Sequence, residues 1–238
     1  LAKLLIAAAI AAVVGVIVLA LNWHGPWLAP FGMAMAAWLV FGALAEISNR
    51  IALFRVPVMT SLRRLIGLPG SAIGMSLGHA GLGVMIAGMV GVTAWRTEVI
   101  TTMRPGDTQT VAGYSVKFLG EDNITGPNYT GTAGRFEVSR NGQLVDTLAS
   151  EKRNFRPSGM PTTKVALRKT PAGDLYMVLG DTAADGSRAI RMYFNPLIDF
   201  LWLGGVFMFL GGVFSISDRR YRIGAPKRAA KVETVAAE

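Results

Sequence analysis

Four long apolar runs and one stretch of alternating apolar and polar positions divide the 238-residue chain. Leu1 to Leu21 is almost continuously apolar, with Lys3 its only charge, and Ala29 to Ile47, Ser71 to Trp95 and Asn195 to Ile216 read the same way. Each has the length of a membrane-spanning helix: at ~1.5 Å per residue the run from Ser71 makes roughly 37 Å, against a hydrocarbon core of about 30 Å. A signal peptide does not explain the first run, because a second apolar run follows at once. The abrupt start without methionine leads us to expect a piece of a longer protein or one half of a split one. Asn22 to Pro30 forms a short turn in which Trp23 and Trp27 are interfacial anchors and His24 is solvated.

Between Arg96 and Phe194 the apolar pattern shortens to strand length, with turn signals between the runs. The expected strands are Thr97 to Arg104, Gln109 to Leu119, Gly134 to Ser139, Gln143 to Leu148, Thr163 to Arg168, Leu175 to Leu179 and Arg188 to Phe194. Pro105-Gly106-Asp107, Gly126-Pro127-Asn128, Asn141-Gly142, Pro171-Ala172-Gly173-Asp174 and Ala184-Asp185-Gly186 are the turns, Asn141-Gly142 being the strongest hairpin signal. The fold class predicted is an integral membrane protein, α-helical with about four transmembrane helices. A small extracytoplasmic all-β domain, barrel or sandwich, is inserted between the last two.

Charge sets the orientation. The segment from Ser48 to Gly70 carries Arg50, Arg55, Arg63 and Arg64 without an acid, which places it in the cytoplasm, and its spacing also fits a helix lying on the membrane surface. The tail from 217 to 238 carries Arg219, Arg220, Arg222, Lys227, Arg228 and Lys231, belongs on the same side and is expected to end in disorder. The expected units are therefore 1–47, two spans with a short periplasmic turn; 48–70, cytoplasmic; 71–95, the third span; 96–194, the periplasmic β domain; 195–216, the last span; and 217–238, the tail.

Composition narrows the chemistry. Hydrophobic residues make up 51% of the chain and charged residues 16%, which excludes an ordinary soluble domain. The net charge of +9 follows the membrane topology, so it is assigned to lipid and orientation, with no nucleic-acid partner. No cysteine is present, which excludes disulfides, thiol catalysis and cysteine-ligated metal within this chain.

The candidate site residue is His79, in Leu77-Gly78-His79-Ala80-Gly81-Leu82-Gly83 of the third span. It lies eight residues, ~12 Å, from Ser71, in the cytoplasmic half of the membrane. An ionisable side chain at that depth is costly. Either it hydrogen-bonds a carbonyl of a neighbouring helix, or it ligates the iron of a flat macrocycle that the glycines admit. Gly74 and Gly78 alternatively form a small-xxx-small pair for close helix packing, as do Gly204-Gly205 and Gly211-Gly212 in the last span. His24 lies on the other side of the membrane and cannot share an iron with His79. Asp199 is expected as an interfacial acid, Glu151-Lys152-Arg153 as a solvated surface in preference to an ion-pair cluster or a docking patch, and Met160 as a packing residue. Asn123-Ile124-Thr125 and Asn128-Tyr129-Thr130 match the glycosylation pattern without implying catalysis. No catalytic constellation can be assembled.

A series of short segments then carries a resemblance. Gly74 to Gly83, Trp95, Glu98, Met103-Arg104-Pro105-Gly106-Asp107, Gly126-Pro127-Asn128-Tyr129, Glu151-Lys152-Arg153, Asp174-Leu175-Tyr176 and Leu179-Gly180 occur in one order. Tyr193, Asn195-Pro196-Leu197, Trp202, Gly211-Gly212 and Asp218-Arg219-Arg220 continue it. Together they resemble the carboxy-terminal part of the CcmF family of cytochrome c-type biogenesis proteins, from about Ser71 to Arg222. The resemblance implies a bacterial inner-membrane haem lyase of which this chain is an incomplete part. It implies that His79 is one of two membrane histidines holding a permanent haem b that passes electrons, from quinol, to the haem being attached. The implied partners are haem, a haem chaperone, the components that handle apocytochrome and its thiols, and the upstream portion of the same protein. That family's tryptophan-rich WWD segment and its flanking external histidines are not matched here, and that role is not carried onto His24. Two positions depart from the pattern: Ser150 stands where a proline is usual, and Lys164 where an acid is usual. A cofactor-free membrane scaffold whose β domain docks maturation partners is the competing reading.

Overall fold

The structure, a computed structural model, describes residues 2–156 and 159–218. The basic tail expected beyond Asp218 lies outside them. Four helices have the length and apolar composition to cross a membrane: α1 (Ala2–Leu21), α2 (Ala29–Arg50), α4 (Gly70–Trp95) and α5 (Ile198–Ser217). Large apolar side chains such as Leu5, Phe31, Trp202 and Phe209 point outward on them, as a lipid-facing surface requires. The short α3 (Val58–Ile66) is amphipathic, with Arg63 and Arg64 in its last turn. Pro30 opens α2 at a position where the missing N–H costs nothing. At its other end α2 runs past Ile47, where Arg50 pairs with Glu46 one turn earlier at 2.6 Å.

Small residues seat the helices on one another. Gly15 of α1 faces Ala34 of α2, and Gly83 of α4 faces the Ala36 carbonyl of α2. The tightest pair is α4 with α5, where Gly74 and Gly81 meet Gly211 and Gly204 backbone to backbone. One glycine of each α5 pair packs in this way, while Gly212 faces open space. The expected Gly74/Gly78 pair is corrected: a Cβ on Gly78 would touch nothing, and the contact recurs every seven residues, at Gly74, Gly81 and Gly88. Two antiparallel helices crossing at a small angle return to the same seam every two turns, so a seven-residue spacing serves where a four-residue spacing would drift off. At the α4 start, the Asp218 carboxylate accepts the Ser71 N–H at 3.0 Å, so the end of α5 caps its neighbour.

The helix pair continues directly into a pair of strands. β1 (Thr97–Met103) follows α4 and β9 (Arg188–Pro196) precedes α5, and the two are antiparallel neighbours, Thr97 opposite Phe194. Leu197, at φ 57°, makes the corner into α5. The intervening chain adds β2 (Thr108–Val111), β3 (Tyr114–Thr125), β4 (Tyr129–Arg140), β5 (Gln143–Phe155), β6 (Pro161–Lys164), β7 (Ala166–Thr170) and β8 (Gly173–Thr182). They form a four-stranded sheet, β1-β9-β8-β7, and a five-stranded sheet, β2-β3-β4-β5-β6, all antiparallel. The domain is therefore a sandwich. Phe118, Phe136, Val116 and Val138 of one sheet meet Leu175, Met177, Ile190 and Met192 of the other, all at 1% exposure or less.

Two expected strands are each two. Gln109 to Leu119 is a hairpin, because Ala112 (φ 47°) and Gly113 (φ 78°) turn the chain between β2 and β3. Alanine carries no turn signal, and its left-handed conformation is imposed by the pairing on either side. Thr163 to Arg168 crosses at Val165 from one sheet to the other, β6 lying beside β5 and β7 beside β8. Asn141-Gly142 does form its hairpin, with φ of 53° and 78°.

Candidate functional site

α4 carries few side chains larger than methionine, and its one ionisable group, His79, stands in the wall of an open groove between α1, α2 and α4. The groove has a volume of ≈ 770 Å³, in the range that holds a medium-sized organic ligand. Trp38 of α2 and Leu4 of α1 give it apolar walls, and Glu46, Asn49, Arg50 and Arg55 stand toward the basic end of α2. The Nδ1 of His79 lies 2.8 Å from the Met75 carbonyl of its own helix. A carbonyl only accepts, so Nδ1 carries the proton and, in the neutral ring, Nε2 keeps a free lone pair. This is the second-atom hydrogen bond that orients a metal-ligating imidazole. Next to it, Ser76 lines the same groove and buries a hydroxyl with no partner.

His24 is not brought to this place. It sits exposed in the turn before α2, a helix length of ~33 Å from the Arg50 end. Among the described residues no group of three or more histidine, aspartate or glutamate side chains is placed to hold a bare metal ion. The residues that sequence reasoning missed are Trp38, Glu46, Asn49, Arg50 and Arg55. Glu46 and Arg50, four apart on the helix that runs antiparallel to α4, were the available signal.

In the sandwich, Glu151 is a paired group: its side chain is 14% exposed and takes Arg153 Nε at 2.7 Å and Lys164 Nζ at 3.0 Å. Burial pushes its carboxyl up, but the hydrogen bonds and charges of Arg153 and Lys164 outweigh that and hold it below its ordinary value. Lys152 reaches Asp181, and Arg153 stacks over Tyr129. Of the readings open for this tripeptide, the structure shows the ion-pair cluster in place of the favoured solvated surface. Met160, expected to pack, is 67% exposed. Asp199 stands in the first turn of α5, where an acid suits the helix dipole.

Asp174, opposite Asn195 at the membrane end of the sandwich, is 8% exposed and its Oδ1 has no partner. Burial raises its carboxyl above the ordinary aspartate value, the charge of Asp199 raises it further, and Lys169 opposes both. A carboxyl whose folded pKa is raised weakens the fold as pH climbs from its unfolded value through the folded one. Asp174→Asn is therefore expected to raise Tm at pH 7, with the difference from the parent closing near pH 3. A lower Tm at pH 7 would contradict this.

Comparison with known proteins gives a consistent setting. Residues 94–196 match the family model described as the CcmF C-terminal beta-sandwich. The chain is 43% identical over 223 residues to the cytochrome c-type biogenesis protein CycK of Bradyrhizobium diazoefficiens, a match that covers 92% of this chain and 34% of that protein. It is 44% identical over 225 residues to CycK of Rhizobium meliloti, covering 93% and 33%. Against the cytochrome c-type biogenesis protein CcmF of Escherichia coli it is 32% identical over 191 residues, covering 80% and 28%. A solved structure named cytochrome c haem lyase CcmF has the same fold, with a TM-score of 0.63 at 19% identity, over 90% of this chain and 34% of that one. The four helices, the inserted sandwich and these matches agree, and the chain belongs to the CcmF family of cytochrome c-type biogenesis proteins, spanning about a third of the length of the curated relatives it matches.

Proposed function

We propose that the chain works in cytochrome c biogenesis as the part of a haem lyase that holds a b-type haem, with His79 Nε2 as one axial ligand to the iron. The observation that carries this reading is the His79 ring itself, fixed by the Met75 carbonyl with its second nitrogen free in a groove of ≈ 770 Å³. The residues fit such a group: the orphaned Ser76 hydroxyl lies in the same wall, Trp38 supplies an aromatic surface, and the charged end is confined to one side. Bound haem would supply one-electron chemistry there, toward the haem being attached and drawing on quinol. The protein's own part is to orient the imidazole through Met75 and to keep the pocket apolar around it. His24 lies at the opposite end of α2 and would not reach an iron held by His79.

In this reading the arginine-rich end of α2 and α3 face the cytoplasm of a bacterium, and the sandwich stands in the periplasm above the inner membrane. The paired Glu151-Lys152-Arg153 network then faces the haem chaperone and the components that handle apocytochrome and its thiols. Oxidised and reduced absorption spectra of the detergent-purified chain, alone and co-expressed with what is encoded upstream, test the assignment. A b-type spectrum on co-expression that disappears with His79→Ala is expected. Absence of haem from the parent, or haem content unchanged by the substitution, would leave His79 a packing residue and the chain a scaffold whose sandwich docks partners.

A further inference from the structure

The turn after α2 is held in a form that ordinary side chains avoid. Ala52 (φ 54°) and Phe54 (φ 65°) are both left-handed, an arrangement in which the Cβ of a non-glycine residue crowds the following carbonyl oxygen. The turn is closed by Leu53 N–H to Ser48 O at 2.9 Å and Arg55 N–H to Ala52 O at 2.9 Å. Phe54 is 95% exposed, so the strain does not serve to pack that ring against the rest of the protein. Its effect is to return the chain so that Arg55 lines the groove that holds His79. Strain kept at a site by its surroundings points to something the site does.

The Arg55 guanidinium has no hydrogen-bond or ion-pair partner among the described residues. Arg50, beside it in the groove, is held by Glu46 Oε1 through Nη2 at 2.6 Å and Nε at 3.1 Å. Arg50, Arg55 and Glu46 together leave one net positive charge at one end of a groove whose other walls are apolar and which contains a single ligating nitrogen. A ligand matching that distribution has a flat apolar body, a metal for the imidazole and carboxylates at one edge.

We propose that Arg55, assisted by Arg50, is an anion clamp that seizes the carboxylate side chains of the metallated macrocycle bound by His79, and so fixes which edge of it faces the cytoplasmic end of the groove. This rests on the haem-binding reading above. Glu46 sets the strength of the clamp by occupying Arg50. A guanidinium to a carboxylate in a partly desolvated place forms a charge-assisted bond, and losing it costs about tenfold or more in affinity.

The test uses the full 238-residue chain in nanodiscs of zwitterionic lipid, with free imidazole supplying the second axial nitrogen. The chain is titrated with haem and with haem dimethyl ester, followed by the Soret band. The parent is expected to prefer haem by about tenfold or more, Arg55→Gln to reduce that preference to within about twofold while ester binding is unchanged, and Glu46→Gln to increase it several-fold. Repeating the titration with anionic lipid separates the sources of the anion: weakened haem binding that the ester does not share places a lipid phosphate in competition for the same arginine. Equal affinity for haem and ester in the parent, or an Arg55→Gln loss that falls equally on both, overturns the clamp and leaves the His79 assignment standing. Failure of the parent to bind either porphyrin overturns the clamp as a property of this chain, and the haem reading itself is decided by the co-expression spectrum.

Discussion

Gly81→Val is expected to separate α4 from α5 and to lower stability by about 3 kcal/mol or more, beyond the usual 1–3 kcal/mol of an overpacked core. A Cβ at Gly81 would lie 2.7 Å from the Gly204 carbonyl oxygen and 2.8 Å from Met208 N. Its counterpart at Gly204 would lie 2.5 Å from the Gly81 oxygen. Both obstacles are backbone inside regular helices, so no rotamer change relieves them, and the axes must part. The neighbouring contacts at Gly74 with Gly211, and at Gly88 with Phe200 and Leu201, would be pulled open along the same seam. In a bilayer little else holds two apolar helices together, because lipid replaces their outward contacts at no loss. Thermal unfolding in detergent, read by circular dichroism, checks the effect. Gly78→Ala and Gly212→Ala, where an added Cβ meets nothing within 4 Å, should leave the melting temperature within a degree or two or raise it. A Gly81 variant that melts with the parent would show that the seam is not what joins the helices.

Ser150→Ala should destabilise the sandwich by about 1–3 kcal/mol, a large effect for one hydroxyl, because the buried Leu179 N–H is left without a partner and the Lys164 carbonyl loses its donor. Ser150 is fully buried; its Oγ accepts the Leu179 N–H at 3.0 Å and donates to the Lys164 carbonyl at 3.0 Å. The place is where the chain leaves one sheet for the other at Val165. β7 pairs with β8 only as far as Ala166 opposite Met177, so beyond that point Leu179 N–H and Lys164 C=O have lost the direct ladder bond. The serine hydroxyl stands between them and serves both. Ser150→Thr, which keeps the hydroxyl, should recover most of the loss if the added methyl is accommodated. Urea unfolding of the full chain in detergent measures both, and an Ala variant as stable as the parent would mean that water serves these groups. The two departures from the family pattern, Ser150 and Lys164, are in contact here, and Lys164 also pairs with Glu151. The reversed charge at 164 is thereby absorbed within the domain.

Much of this was legible along the chain. The four spans appeared as apolar runs because a helix in lipid has no alternative way to satisfy its backbone. The hairpin at Asn141-Gly142 appeared because those residues tolerate the left-handed region. The strand ends around Glu121, Asp122 and Glu151 to Arg153 did not, since they are polar on both faces: the pairing of β3, β4 and β5 carries them and local preference does not. The hairpin at Ala112 and the crossing at Val165 were likewise decided by neighbours distant in sequence. At the candidate site His79 stood out by its depth in an apolar run. Trp38, Arg50 and Arg55 did not, because lining one groove is a relation between α2, its following turn and α4 that no local pattern encodes.

The amino-acid sequence by itself determined the membrane class, the β insertion, the absence of thiol chemistry and the one intramembrane imidazole, all of which follow from composition and short-range periodicity. Only the tertiary structure decided that the insertion is a sandwich, that glycines seven residues apart form the α4/α5 seam, and that Arg55 shares a groove with His79. These depend on which segments meet. Contacts between segments are selected by the shape and unsatisfied groups of the whole chain, and a single residue's preference of a few tenths of a kcal/mol is too small to decide them.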